Sequence, residues 1–200
     1  MEATPPENKL PLRYGDFSTL AEALDYAARG ETGANFYNGK GQLEAVLPYA
    51  VLRDDAVSIA RQLMGLNLDR GSRVALVAET YPDFLRFFYA CQYAGMVPVP
   101  LPASIHLGGH RAYVAQLRRL LLNCRAQVAM APPMFMSFLR EAAEGLGLVF
   151  VGTPEQFADV LTTACGEKVW VVTNSISGFN YFEFPKTNVY SSFCMDLTPV

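Results

Sequence analysis

Four cysteines and two histidines are the only thiol and imidazole metal ligands in 200 residues. Cys91, Cys124, Cys165 and Cys194 lie far apart, form no CxxC pair and have no histidine nearby, so zinc and thiol redox chemistry lack their usual spacing. The expectation is free, mostly buried thiols in a reducing compartment and no metal site. His106 and His110 are four apart, yet Gly108 and Gly109 stand between them, so they read as loop histidines. Positive charge is scarce as well: 16 Lys and Arg face 19 Asp and Glu, a formal net charge of -3. Nucleic-acid binders display a basic face, so no nucleic-acid partner is expected. Long apolar runs are also lacking. Val74 to Leu101 is the richest stretch, and Glu79, Asp83 and Arg86 interrupt it, short of the roughly 18 to 20 apolar residues of a membrane span. Met1-Glu2, followed by Pro5-Pro6, has neither the basic nor the apolar region of a signal peptide. A cytoplasmic location is the resulting expectation. Neither G-x-G-x-x-G nor G-x-x-x-x-G-K-[ST] occurs, so Gly108-Gly109 reads as a turn more than as a phosphate entry at a helix N-terminus.

What the chain does have is 51% hydrophobic and 18% charged residues, the balance of a soluble globular protein. Its length suggests one α/β unit with a long tail. Ser18 is placed to cap a helix through Leu20, Ala23, Leu24 and Ala27 that Gly30 ends. Asn38-Gly39-Lys40-Gly41 separates Asn35-Phe36-Tyr37 from Leu43 to Leu47, which predicts a β-hairpin. From Tyr49 onward Leu52, Ala56, Ile59, Ala60, Leu63 and Leu66 fall three and four apart, as on a helix with one buried face, and Gly65 and Gly71 bracket its exit. Arg73 to Ala78 then reads as a strand, Tyr81 to Ala94 as a helix ended by Gly95, and Met96 to Leu101 as a second strand. Parallel strands need such a crossover helix. The pattern repeats as a helix over Arg111 to Asn123, a strand over Gln127 to Ala131, a helix over Met134 to Gly145 and a strand over Leu148 to Val151. Thr153 and Pro154 open a further helix. The predicted fold class is α/β, with a mostly parallel sheet covered by helices on both faces.

Three side-chain sets have both a chemical and a structural reading. Arg111, Arg118, Arg119 and Arg125 could form an anion-binding strip, but only some share a helix face, and a solvated surface is the ordinary outcome. Phe84, Phe87, Phe88 and Cys91 could line an acyl channel, whereas a buried helix needs the same stripe for packing. Pro98, Pro100 and Pro102 cannot donate to a ladder and point to an edge or strand-end position.

The composition shifts near residue 160. All twelve arginines precede residue 141 and all but one of the alanines precede residue 161, while Asn174, Asn180 and Asn188 crowd the end. Val169 to Thr173 could be a strand, but Ser175 to Val200 has no period and is expected to be irregular. Residues 1–160 thus read as a partial domain and 161–200 as an atypical tail.

Leu47-Pro48-Tyr49-Ala50-Val51-Leu52, then Asp69-Arg70-Gly71-Ser72-Arg73-Val74-Ala75-Leu76, resembles the opening of adenylate-forming enzymes, with Ser72 in place of the usual aspartate. Cys91-Gln92-Tyr93-Ala94-Gly95-Met96-Val97-Pro98-Val99-Pro100-Leu101 resembles an early core motif of the same superfamily. Phe84 to Gly95, with Gly108-Gly109-His110-Arg111-Ala112-Tyr113 and Gln116-Leu117-Arg118-Arg119, is similar to the fatty acyl-AMP ligase branch. The resemblance implies an α/β N-terminal region of an enzyme that joins a fatty acid to the α-phosphate of ATP, with Mg2+, and passes the acyl group to a carrier thiol. It further implies an acyl carrier protein, or a polyketide or peptide synthase, as partner. No residue here matches the family's phosphate loop, ribose ligand or metal ligands, so no catalytic or cofactor-binding residue is assigned. Ser175-Ile176-Ser177-Gly178 and Ser191-Ser192 are isolated small residues without the accompanying cation. The chain alone is therefore expected to be inactive, with a frameshift, a truncation or a gene-assembly error as the simple explanation of its end. A stand-alone α/β binding or regulatory module and a piece of an acyl-CoA synthetase are the alternative readings.

Overall fold

The computed structural model describes residues 10–103 and 109–158. His106, Cys165, Cys194, the Val169 to Thr173 run and the proposed tail lie outside the described residues. The elements run α1 (Leu20–Ala27), β1 (Gly33–Tyr37), β2 (Leu43–Pro48), α2 (Tyr49–Gly65), β3 (Arg73–Ala78), α3 (Pro82–Ala94), β4 (Val97–Pro102), α4 (Gly109–Cys124), β5 (Val128–Met130), α5 (Met136–Ala143) and β6 (Phe150–Gly152). β3 to β6 form a four-stranded sheet in the order β4-β3-β5-β6, parallel throughout. β1 and β2 pair antiparallel as the expected hairpin.

Alternation along the strands decides which helices cover which face. Val74, Leu76, Val128 and Met130 point to one side, where Ala56, Ala60 and Leu63 of α2 and Phe87, Ala90 and Cys91 of α3 meet them. Ala75, Val77, Ala129 and Ala131 point to the other, against Tyr113, Leu117 and Leu121 of α4 and Leu139 and Ala142 of α5. Small alanines in the central strands let α4 and α5 approach closely on that face. A third cluster, Leu24, Phe36, Leu47 and Leu52, seats α1 and the hairpin on the outside of α2 and α3. The layers therefore run from α4 and α5 through the sheet to α2 and α3, and then to α1 with the hairpin.

Several local expectations shift. Thr19, not Ser18, caps α1: its Oγ1 accepts from Glu22 N at 3.1 Å, and the Glu22 carboxylate accepts from Ser18 N at 2.9 Å. A threonine with a glutamate three residues on satisfies two orphan amides at once, which places the cap one residue later than the serine suggested. The helix before β3 leaves through Asn67, whose φ of 54° supplies the left-handed position expected of a glycine. Gly95 does take that conformation, at φ 67°, and its N–H returns to Gln92 O. Met134 lies in a 3-10 turn (Pro133–Phe135) ahead of α5. β6 begins at Phe150, two residues later than expected, although Val149 N already donates to Gln127 O at 2.8 Å. Residues 154–158 are helical, and Thr153 and Gln156 cap that turn reciprocally: Gln156 Oε1 accepts from Thr153 N at 3.0 Å and Thr153 Oγ1 accepts from Gln156 N at 3.3 Å.

The hairpin depends on one close approach. A Cβ on Gly33 would stand 2.4 Å from Leu47 O and 2.7 Å from Pro48 Cα, both backbone atoms that cannot swing away. Gly33→Ala is therefore expected to cost about 1–3 kcal/mol by forcing β1 and β2 apart. Urea unfolding checks this: the midpoint should fall, and an unchanged midpoint would refute the close packing.

Candidate functional site

The chain runs from β3 through α3 to β4 on one flank, then returns over the sheet through α4 to β5 on the other. The winding reverses between the carboxyl ends of β3 and β5, the topological switch point at which open α/β sheets bind ligands. Ala78-Glu79-Thr80-Tyr81 leads out of β3 there and Ala131-Pro132-Pro133-Met134 out of β5. Tyr81 is 52% exposed and Met134 62%. The carboxyl end of β4 is held nearby, as the Tyr113 hydroxyl donates to Pro102 O at 2.7 Å.

A phosphate site at such a switch point needs free backbone N–H groups at a helix N-terminus. Here they are largely spent or missing. Glu79 N donates to Val77 O, Tyr81 N to Glu79 O and Phe84 N to Tyr81 O, and Thr153 N is taken by Gln156. Pro82, Pro132, Pro133 and Pro154 have no N–H to offer. Asp83 adds negative charge to the first turn of α3. The described residues at this point offer few free donors and do not fit the triphosphate of ATP.

The sequence candidates scatter. Gly109 opens α4. His110 lies on that helix, not in a loop: its Nε2 is 2.6 Å from Glu141 Oε2 and its ring packs on Phe138, fastening α4 to α5. Arg118 turns to α5, donating to Ala142 O at 3.1 Å and Glu144 O at 2.7 Å, where a cation satisfies orphan carbonyls at the helix end. Arg111, Arg119 and Arg125 are exposed, so the four arginines form no single strip. Phe87 and Cys91 are buried in the core, with Phe87 edge-on to Phe157. Phe84 and Phe88 are half-buried beside them. Among the described residues no group of three or more His, Cys, Asp and Glu could hold a metal ion, and no helix is long and apolar enough to cross a membrane.

Two polar clusters carry no motif that sequence reading could have found. Tyr93 of α3 donates to Asp25 of α1 at 2.7 Å, and Arg53 of α2 donates to the same carboxylate oxygen at 3.2 Å. Burial, with Asp25 beside it, pushes the Tyr93 hydroxyl well above the usual tyrosine range. Asp25 and Arg53 also line a depression of about 450 Å³ with Ala28, Arg29, Ala50 and Asp54. Arg86 donates to Asp55 at 2.7 Å and Asp83 at 2.9 Å, joining α3 to α2. Apart from Asp83 and Arg86, three apart on α3, these partners come from separate helices, and only the fold brings them together. The Tyr93 cluster ties the outer α1 to α2 and α3, and the Arg86 cluster ties α2 to α3 within one layer.

Cys91 is free and buried, and burial pushes its thiol up to about 12. A thiolate is the reactive form, so Cys91 should resist iodoacetamide at pH 8 until the chain is unfolded. Peptide mapping of the alkylated protein checks this, and rapid native labelling at Cys91 would contradict it.

The profile of the AMP-binding enzyme family matches residues 27–170. The chain belongs to that family. Among its relatives, a Caulobacter vibrioides protein assigned as an acyl-CoA synthetase is 42% identical over 168 residues, 82% of this chain and 29% of the relative. The medium-chain-fatty-acid–[acyl-carrier-protein] ligase JamA of Moorena producens is 27% identical over 157 residues, 76% of this chain and 26% of JamA. A solved structure from work on the fatty acyl-adenylate ligases of E. coli and L. pneumophila superposes with a TM-score of 0.70 at 39% identity, over 74% of this chain and 27% of that one. This AMP-binding family member therefore spans between a quarter and a third of each of these proteins. It is a partial N-terminal region of an adenylate-forming enzyme.

Proposed function

We propose that this region belongs to a fatty acyl-AMP ligase, which activates a fatty acid with ATP to acyl-AMP and delivers the acyl group to the thiol of an acyl carrier protein. The observation that carries the reading is the 39% identity, at a TM-score of 0.70, to a fatty acyl-adenylate ligase structure. In the complete enzyme, bound ATP with Mg2+ supplies the phosphoanhydride whose cleavage drives activation. The described residues offer that group no cradle, so their part is to build the sheet and its flanking layers, with the domain running to about residue 160.

An acyl-CoA synthetase is the second reading, favoured by the 42% identical Caulobacter protein. The two differ in acceptor, and so does the test. The full-length enzyme that carries this region, given a fatty acid and ATP, should form acyl-AMP and load holo-acyl carrier protein while leaving coenzyme A unacylated. Acyl-CoA as the main product, seen by mass spectrometry, would instead establish the synthetase reading.

A further inference from the structure

We propose that the three prolines of β4 close this edge of the sheet to strand addition, and so keep the chain from pairing edge to edge with a second copy of itself. Among the described residues β4 has one neighbour, β3, with Val74 opposite Pro98, Leu76 opposite Pro100 and Ala78 opposite Pro102. Successive residues of a strand direct their N–H and C=O groups to opposite sides. Val97 N donates to Ser72 O at 2.9 Å, so Val97 faces β3. Val99 and Leu101 then face β3 as well, and residues 98, 100 and 102 face the open edge. All three are proline. Every donor on the outer side is removed while every donor on the inner side is kept.

What remains outside is a row of carbonyl acceptors, able to support only half of a ladder. Such a guard is needed here because Val97-Pro98-Val99-Pro100-Leu101-Pro102 contains no charge and, apart from the prolines, only β-forming apolar residues. An uncharged apolar edge strand is a template for association, and natural edges are blunted by charge, by bulges or by proline. Charge and bulge are both absent from this strand, since its register with β3 is continuous. A helix crossover or a strained turn would need proline at one position, not at each alternate one.

The test compares the intact 200-residue chain with P98T/P100T, with P98T/P100T/P102T and with P100T alone, by sedimentation velocity over a range of concentrations. Restoring two edge donors should tighten self-association about ten-fold or more relative to the parent. Hydrogen exchange on dilute P98T/P100T gives a second readout: the new amides at 98 and 100 should exchange at nearly free rates while those of Val99 and Leu101 stay protected. Folded variants that associate no more than the parent would overturn the proposal. So would protected amides at 98 and 100 in the dilute monomer, which would mean that the edge is already occupied. Loss of the fold in all three variants would assign the prolines to building the strand and would overturn it equally.

Discussion

Residues 1–200, purified alone, are expected to give no fatty-acid-dependent ATP–pyrophosphate exchange above a no-enzyme control. Adenylation develops negative charge around the α-phosphate, and enzymes stabilise it with donors already aimed at the reacting oxygens. Loss of one such donor costs on the order of 100- to 1,000-fold in rate, and the described strand ends lack a whole set. The amides of Glu79, Tyr81, Phe84 and Thr153 are bonded within the chain. Four prolines at the adjoining turns offer none. The full-length enzyme should show robust exchange under the same conditions. Exchange by the 200-residue chain clearly above background would show that a nucleotide site is complete within it.

Leu117→Ala is expected to destabilise the chain by about 2–5 kcal/mol. Leu117 is fully buried on α4, over the small residues Ala75 and Ala129 of the sheet. Neighbours that small cannot reach into the space that the isobutyl group leaves, so the cavity stays open and its cost adds to the lost transfer energy. For a chain of this size the melting temperature should drop by roughly 2–4 °C per kcal/mol. Leu24→Ala, in the outer cluster with Phe36, Leu47 and Leu52, should loosen α1 and the hairpin while the sheet amides remain protected. Hydrogen exchange separates the two: global loss of protection for Leu117→Ala, local loss for Leu24→Ala. A melting temperature unchanged by Leu117→Ala would refute the packing described for α4.

The βαβ pattern was legible because it depends on short-range periods. Val74 to Val77 alternate between two buried faces, and Leu52, Ala56, Ala60 and Leu63 lie on one side of a helix. Boundaries were less legible where two local signals competed, as at Ser18 and Thr19. The clusters around Tyr93 and Arg86 left no trace, because Asp25 and Tyr93 are 68 residues apart and are coupled only after three helices pack. His110 and Glu141 are likewise 31 apart.

The sequence by itself determined the α/β class, the parallel sheet and the family resemblance, since residue order sets strand and helix periods and those leave few ways to bury the apolar faces. It also marked β4 as an edge, because proline lacks an N–H in any fold. Only the tertiary structure decided the order β4-β3-β5-β6, and with it the topological switch point and the side of β4 to which its prolines turn. Strand order is a matter of long-range pairing, which local propensity does not encode. The same packing decided that Arg118 caps α5 and that the Cys91 thiol is sealed from solvent, for both depend on which surfaces meet once the helices close over the sheet.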